Sequence, residues 1–220
     1  MPVAPAKVAV LASGRGSNLA ALLDAQARGE LPVEFVLVGS DKADAGALRL
    51  AEQANIPTLA LDPRGYPDRR AYDLDLFARL AASGAEWLVL AGFMRVIDAD
   101  ALRPWVGRVI NIHPSLLPKY RGLHTHRRAL EAGDAEHGAS VHFVTAELDG
   151  GPVIAQARLA IEPGDDEQRL AQRLLALEHR LLPAVLASLA NHRLQWQDGA
   201  VHCDGRPLPA PLCLGERGLE

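Results

Sequence analysis

Short aliphatic runs alternate with amphipathic stretches along the first half of this sequence, and that alternation restricts the possible folds more than any other feature. Val8–Leu11, Phe35–Val38, Trp87–Leu90 and Val109–Ile112 read as buried strands. Between them, Ser17–Arg28 carries Leu19, Leu22, Leu23 and Ala25 at helical spacing, and Ala45–Ala54 is a second helical stretch. Arg69–Ser83 is a third, with Leu74, Phe77 and Leu80 on one face. Strands alternating with helices in this way predict right-handed βαβ units. The expected fold is therefore α/β: a Rossmann-like open, mostly parallel twisted sheet flanked by helices. Aromatic residues make up only 5% of the chain, so the core has to be aliphatic, as it is where helices pack on a parallel sheet.

The pattern changes after His113. Residues 114–125 are rich in Pro, Gly and His and read as a long loop of the kind that carries function. A short helix, Arg127–Ala132, is expected before Gly133, followed by strands Ala139–Val144 and Val153–Ile161 with the turn Asp149-Gly150-Gly151-Pro152 between them. Asp166–Ala190 predicts a long amphipathic helix that Pro183 bends or divides. The Asp198-Gly199 and Asp204-Gly205 turns suggest a small hairpin within Leu194–Leu208, and residues beyond Pro209 are expected to be poorly ordered. At 220 residues the chain suits a single domain, with 194–220 as a small appendage.

A formal net charge of -4 with no long basic stripe argues against a nucleic-acid-coating protein. No apolar stretch approaches the length of a membrane span, and Met1–Lys7 is too short and Pro-rich for a secretory signal. Cys203 and Cys213 match neither a zinc spacing nor a redox pair and read as reduced thiols, so a cytoplasmic setting is expected.

Two motifs carry chemistry. Ser13-Gly14-Arg15-Gly16-Ser17-Asn18 follows the first strand and opens the first helix. Glycines bring backbone N–H groups close to a ligand, and the helix N-terminus adds unpaired donors, so the turn can cradle a phosphate. Leu19 stands where a dinucleotide fingerprint needs a small residue, although Asp41 after the second strand could serve a nicotinamide ribose. A plain glycine turn with Ser17 as helix cap is the competing reading.

The second motif is Asn111 and His113, two apart on a strand and so on one face of it. Pro114 keeps His113 extended. An amide and an imidazolium aimed at one point can hold the oxyanion of an acyl transfer, and the imidazolium can give its proton to a leaving nitrogen. Asp149 is the candidate carboxylate partner, and His142 a candidate for positioning. The competing reading has both residues simply closing a strand end. His124-x-His126 lacks a third metal ligand at a recognised spacing, so no metal is expected. Ser115 lies in no Gly-x-Ser-x-Gly elbow.

The string NIHPSLLPKYRGLHTHRRALEAGDAEHGASVHFVTAELDGGPVI, from Asn111 to Ile154, resembles the folate-dependent phosphoribosylglycinamide formyltransferase family. SGRGSN at Ser13–Asn18 and LAGFMRVI at Leu90–Ile97 are similar to the same family, in the same order, and the likeness covers roughly residues 7–190. The resemblance implies transfer of a formyl group from 10-formyltetrahydrofolate to the amine of glycinamide ribonucleotide, in purine synthesis, without metal. It implies Asn111, His113 and Asp149 as catalytic residues and Gly16, Ser17 and Asn18 as the phosphate turn. Leu175, Ala176, Leu177 and Glu178 are implied on the ribonucleotide side, with Glu178 on the ribose. Arg69, Met94, Arg95, Val96 and Ile97, with Asn111 and the loop Thr145, Ala146, Glu147, Leu148 and Asp149, are implied on the folate side. Small molecules are the only implied partners, with the protein a monomer or homodimer. A related formyltetrahydrofolate hydrolase, or a transferase acting on another amine, is the alternative. Arg121 departs from the family, which often has Pro there.

Overall fold

The structure is a computed structural model and describes residues 4–220, so the first residues of the Met1–Lys7 stretch lie outside the described part. The chain divides into two compact units, Met1–Asn111 and Ile112–Glu220.

The first unit holds β1 (Ala6–Leu11), α1 (Ser17–Ala27), β2 (Val33–Ser40), α2 (Gly46–Gln53), β3 (Thr58–Ala60), α3 (Arg69–Ala82), β4 (Trp87–Leu90), α4 (Ala99–Leu102) and the start of β5 (Val109–His113). Its strands run in the order β5-β4-β1-β2-β3, and every pairing among them is parallel. Val8 to Leu11 and Leu88 to Val89 are fully or almost fully buried, as strands covered on both faces must be. The predicted strands and helices are all present. The short edge strand β3 is an addition.

The buried stripe of α3 is not the one expected. Asp73, Leu76, Phe77 and Leu80 face inward with Tyr72, whereas Leu74 is 38% exposed. Positions 73, 76, 77 and 80 follow helical periodicity better than 74, 77 and 80, and the stripe begins with a carboxylate.

The second unit holds the end of β5, α5 (Thr125–Glu131), β6 (Glu136–Phe143), β7 (Val153–Ala160), α6 (Glu167–Ala190) and the short strands β8 (Leu194–Gln197), β9 (Ala200–Cys203), β10 (Arg206–Pro207) and β11 (Leu212–Cys213). Its larger sheet runs β11-β7-β6-β5, with β6 and β7 antiparallel. β8, β9 and β10 form a separate small sheet on the two Asp-Gly turns.

Three expectations are corrected here. Pro183 does not divide α6, which runs unbroken from Glu167 to Ala190 with Pro183 buried inside it. Leu170, Leu174, Leu181, Leu182, Val185, Leu186 and Leu189 bury an apolar face along its whole length, which outweighs the loss of one backbone hydrogen bond. The short helix starts at Thr125 rather than Arg127, led by His124 in the left-handed region at φ 59°. The tail beyond Pro209 is held rather than loose. β11 pairs with β7, the Leu214 N–H donates to the Gln156 carbonyl at 2.8 Å, and the Arg180 guanidinium donates to the Gly215 carbonyl at 2.8 Å.

Candidate active site

In the first unit, the turn after β1 is shaped by its glycines. Gly16 is the residue that leads into α1, in the left-handed region at φ 83°, and Ser17 is already helical, so the Ser17 cap of the competing reading is not formed. A side chain at Gly16 would meet the Ala47 Cα at 2.7 Å, and one at Gly46 would meet the Arg15 carbonyl oxygen at 2.8 Å. The turn is thus fitted against the start of α2. Ser17 and Asn18 form the open end of α1, where helix N–H groups have no partner of their own within the helix.

The segment after β4 is the other feature of this unit. The Met94 N–H donates to Ser13 Oγ at 2.9 Å, and the Asp98 N–H donates to Asp73 Oδ2 at 2.7 Å. The Arg95 guanidinium lies over the Tyr72 ring, 4.7 Å from its centroid. Phe93 and Ile97 are buried while Met94 and Val96 are exposed. Among the described residues, the backbone N–H and carbonyl groups of Arg95, Val96 and Ile97 make no hydrogen bond, which leaves them open to a polar heterocycle. Arg69 is the exposed first residue of α3.

Asn111 is a half-buried residue of β5, paired in register with Leu90, and His113 follows two residues later on the same strand. In the second unit, His113 is buried between two acceptors. Its Nε2 is 2.9 Å from the Tyr120 carbonyl oxygen and its Nδ1 is 3.5 Å from Asp149 Oδ2. Only the imidazolium form presents an N–H to both. Asp149 also lies near His142, with Oδ1 3.7 Å from Nε2, and its Oδ2 accepts from the Gly122 N–H at 2.8 Å. The two histidine contacts are longer than ordinary hydrogen bonds, and the one to His113 acts through charge when that ring is protonated. His142 Nδ1 donates to the Phe143 carbonyl at 2.8 Å. Burial, the largest influence, holds the His142 pKa below the ordinary histidine range, against the Phe143 carbonyl and Asp149, which favour the charged ring. One carboxylate therefore serves two rings.

The 114–125 segment, read from the sequence as a loop, gives way to helix at Thr125, and the rest is tied down by side chains the sequence did not single out. Ser140 Oγ donates to the Ser115 carbonyl at 2.7 Å and accepts from the Leu117 N–H at 3.0 Å. Gln156 Nε2 donates to the Leu117 carbonyl at 2.9 Å, and Tyr120 donates to Asp134 at 2.7 Å. Buried polar residues inside otherwise apolar strands were the available signal for Ser140 and Gln156. Arg121 pairs with Glu147, linking this segment to the 145–149 loop. Thr145 is half-buried and Ala146, Glu147 and Leu148 are exposed. On α6, Glu178 is buried, Leu175 and Leu177 are half-buried, and Ala176 is exposed.

His124 and His126 are not brought together. His124 is exposed, whereas His126 Nδ1 meets His137 Nε2 at 3.1 Å. Among the described residues no cluster of His, Cys, Asp and Glu could hold a metal ion.

Burial, with the neighbouring His126, lowers the His137 pKa to about 4. The unfolded ring titrates near 6.5, so this contribution to stability is complete above that value and is lost as pH falls toward 4. Between pH 7.5 and 5 the loss is about 2 kcal/mol. Urea unfolding at the two pH values should show it, and His137→Gln should flatten it; an unchanged pH dependence in that variant would refute the assignment.

A formyl transferase family model matches residues 6–186. The chain belongs to the formyl transferase family. The phosphoribosylglycinamide formyltransferase of Escherichia coli K12 is 46% identical over 202 residues, covering 92% of this chain and 95% of that one. The solved structure of the phosphoribosylglycinamide formyltransferase from Coxiella burnetii is 46% identical with a TM-score of 0.89, covering 93% of this chain and 96% of that one. Glycinamide ribonucleotide transformylase 1 from Symbiobacterium toebii is 42% identical with a TM-score of 0.87, covering 90% and 94%. These likenesses run the length of the formyltransferase core, and the mostly parallel mixed sheet agrees with the fold expected from the sequence. Among the described residues no helix is long and apolar enough to cross a membrane.

Proposed function

We propose that this formyltransferase-family chain transfers a formyl group from 10-formyltetrahydrofolate to the amine of glycinamide ribonucleotide, a step of purine biosynthesis. The single observation that carries the reading is the grouping of His113, Asp149 and His142 within 3.5–3.7 Å in a chain 46% identical to an enzyme of that name.

Each residue has a physical role in this reading. The Asn111 amide and the His113 imidazolium donate to the formyl oxygen as it takes up negative charge. The ribonucleotide amine bonds to the formyl carbon, His113 supplies a proton to the folate nitrogen as its bond to that carbon breaks, and the proton shed by the amine restores the ring. Asp149 holds the charged His113 ring in place, and the buried His142 ring lies beside its other oxygen, 3.7 Å away. A substrate oxygen reaching His113 has to replace the Tyr120 carbonyl, because the other ring nitrogen faces Asp149. Gly16, Ser17 and Asn18 offer helix-end donors to the phosphate, and Glu178 accepts from the ribose hydroxyls. The open backbone groups of Arg95, Val96 and Ile97 read the pterin with Met94 beside them, Arg69 meets the benzoylglutamate part, and residues Thr145–Asp149 close beside the pterin.

The test is a formyl-transfer assay with and without glycinamide ribonucleotide. Folate product should form only when the ribonucleotide is present. Product formed equally in its absence would replace transfer by hydrolysis.

A further inference from the structure

The face of α3 that should be purely apolar carries a fully buried carboxylate and a fully buried phenol, Asp73 and Tyr72. Buried acids are rare unless a partner requires them. Asp73 Oδ2 accepts from the Asp98 N–H at 2.7 Å, and Asp98 in turn caps α4 by accepting from the Asp100 N–H at 2.9 Å. The Arg95 guanidinium stacks on the Tyr72 ring at 4.7 Å. The segment between these two fixings is the stretch whose backbone polar groups are open, and its upstream end is fixed by Ser13 through the Met94 N–H.

We propose that Tyr72 and Asp73 are positioning residues for the pterin-reading stretch 94–97, Tyr72 by seating the Arg95 guanidinium on its ring and Asp73 by fastening the Asp98 N–H. The proposal rests on the reading that this stretch binds the folate. A backbone reader has no side-chain rotamers to adjust, so its geometry is only as good as its anchors. Asp73 is suited to the task because a carboxylate makes a stronger bond to an N–H than a neutral acceptor does. Burial pushes the Asp73 pKa upward, while the Asp98 N–H and the charges of Arg95 and Arg69 pull the other way and Asp98 itself opposes ionisation. The Tyr72 hydroxyl has no hydrogen-bond partner, which assigns its value to the ring rather than to the oxygen.

The experiment is a tetrahydrofolate titration, with steady-state kinetics, on Tyr72→Phe, Tyr72→Leu, Asp73→Asn and the unmodified protein. Tyr72→Phe keeps the ring and should bind folate normally. Tyr72→Leu should weaken folate binding by roughly tenfold, the loss of one stacked cation, and raise KM for the formyl donor with little change in KM for the ribonucleotide. Asp73→Asn keeps an acceptor for the Asp98 N–H but loses the charge, and should give an intermediate loss on the folate side alone. Equal losses for both substrates, or Tyr72→Phe as weak as Tyr72→Leu, would overturn the positioning role. If Tyr72→Leu does not fold, the comparison of Asp73→Asn with Tyr72→Phe decides by the same split between substrates. Failure of the unmodified protein to bind tetrahydrofolate would instead remove the folate reading itself. Unmodified binding together with normal binding by Tyr72→Leu and Asp73→Asn would remove the positioning proposal alone.

Discussion

Replacing His113 with alanine is expected to reduce kcat for formyl transfer by roughly a thousandfold or more while folate still binds. The change deletes one of the two oxyanion donors and the proton source. His142 is the nearest ring on the same carboxylate, but its Nδ1–H is committed to the Phe143 carbonyl and burial keeps it neutral. Asp149→Asn probes the same group more gently. The amide oxygen can still accept from the Gly122 N–H, so the turn stays closed, but the charge facing His113 is gone. A loss on the order of a hundredfold follows, since the charged ring is no longer favoured in the transition state. The measurements are turnover, a folate titration and a thermal melt for each variant. Turnover of His113→Ala within about tenfold of normal would remove His113 from the chemistry.

The second large effect is expected at Gly151. A β carbon there would sit 1.9 Å from the Phe143 carbonyl oxygen, well inside any tolerated contact. The obstruction is backbone, and the Phe143 N–H is bonded to the Pro152 carbonyl at 3.0 Å, so neither strand can yield without breaking the ladder. Gly151→Ala should therefore cost more than about 4 kcal/mol in unfolding free energy, and any folded remainder should be inactive because Asp149 is displaced. Gly164→Ala is the control. Its φ of 87° imposes left-handed strain, but nothing lies within 4 Å of the added carbon, and about 1–2 kcal/mol is expected. Denaturant unfolding of both variants gives the comparison, and equal midpoints would contradict the steric account.

The contrast between these two sites shows what the sequence could convey. Asn111 and His113 were legible as a pair because strand alternation is local, and the turn at Ser13–Asn18 because its glycines announce it. Asp149 was readable as a candidate partner of His113 from its glycine turn, but the 3.5 Å distance was not, because it depends on how β6 and β7 register and on the closeness that Gly151 permits. The aliphatic strands were readable from burial on both faces, but β3 has an exposed, three-residue pattern with nothing periodic to detect. Asp73 was hidden for the opposite reason. An acid on a helix normally marks the solvent side, and here it opens the buried stripe in place of Leu74. Among the residues named on the strength of the resemblance, Glu178 is buried, while Arg69 stands exposed at the head of α3.

The strand β11 has a consequence for how this protein behaves at high concentration. Its two residues, Leu212 and Cys213, occupy the outer hydrogen-bonding side of β7, and the Cys213 N–H and carbonyl are themselves closed by Glu220 at 2.8 Å and 2.9 Å. An eight-residue strand such as β7, left bare, would offer a ready template for strand-to-strand association with other copies. The tail covers the Ala155–Gln156 part of that template with backbone of the same chain. Association through this edge therefore has to start from the uncovered end of β7 or displace the tail.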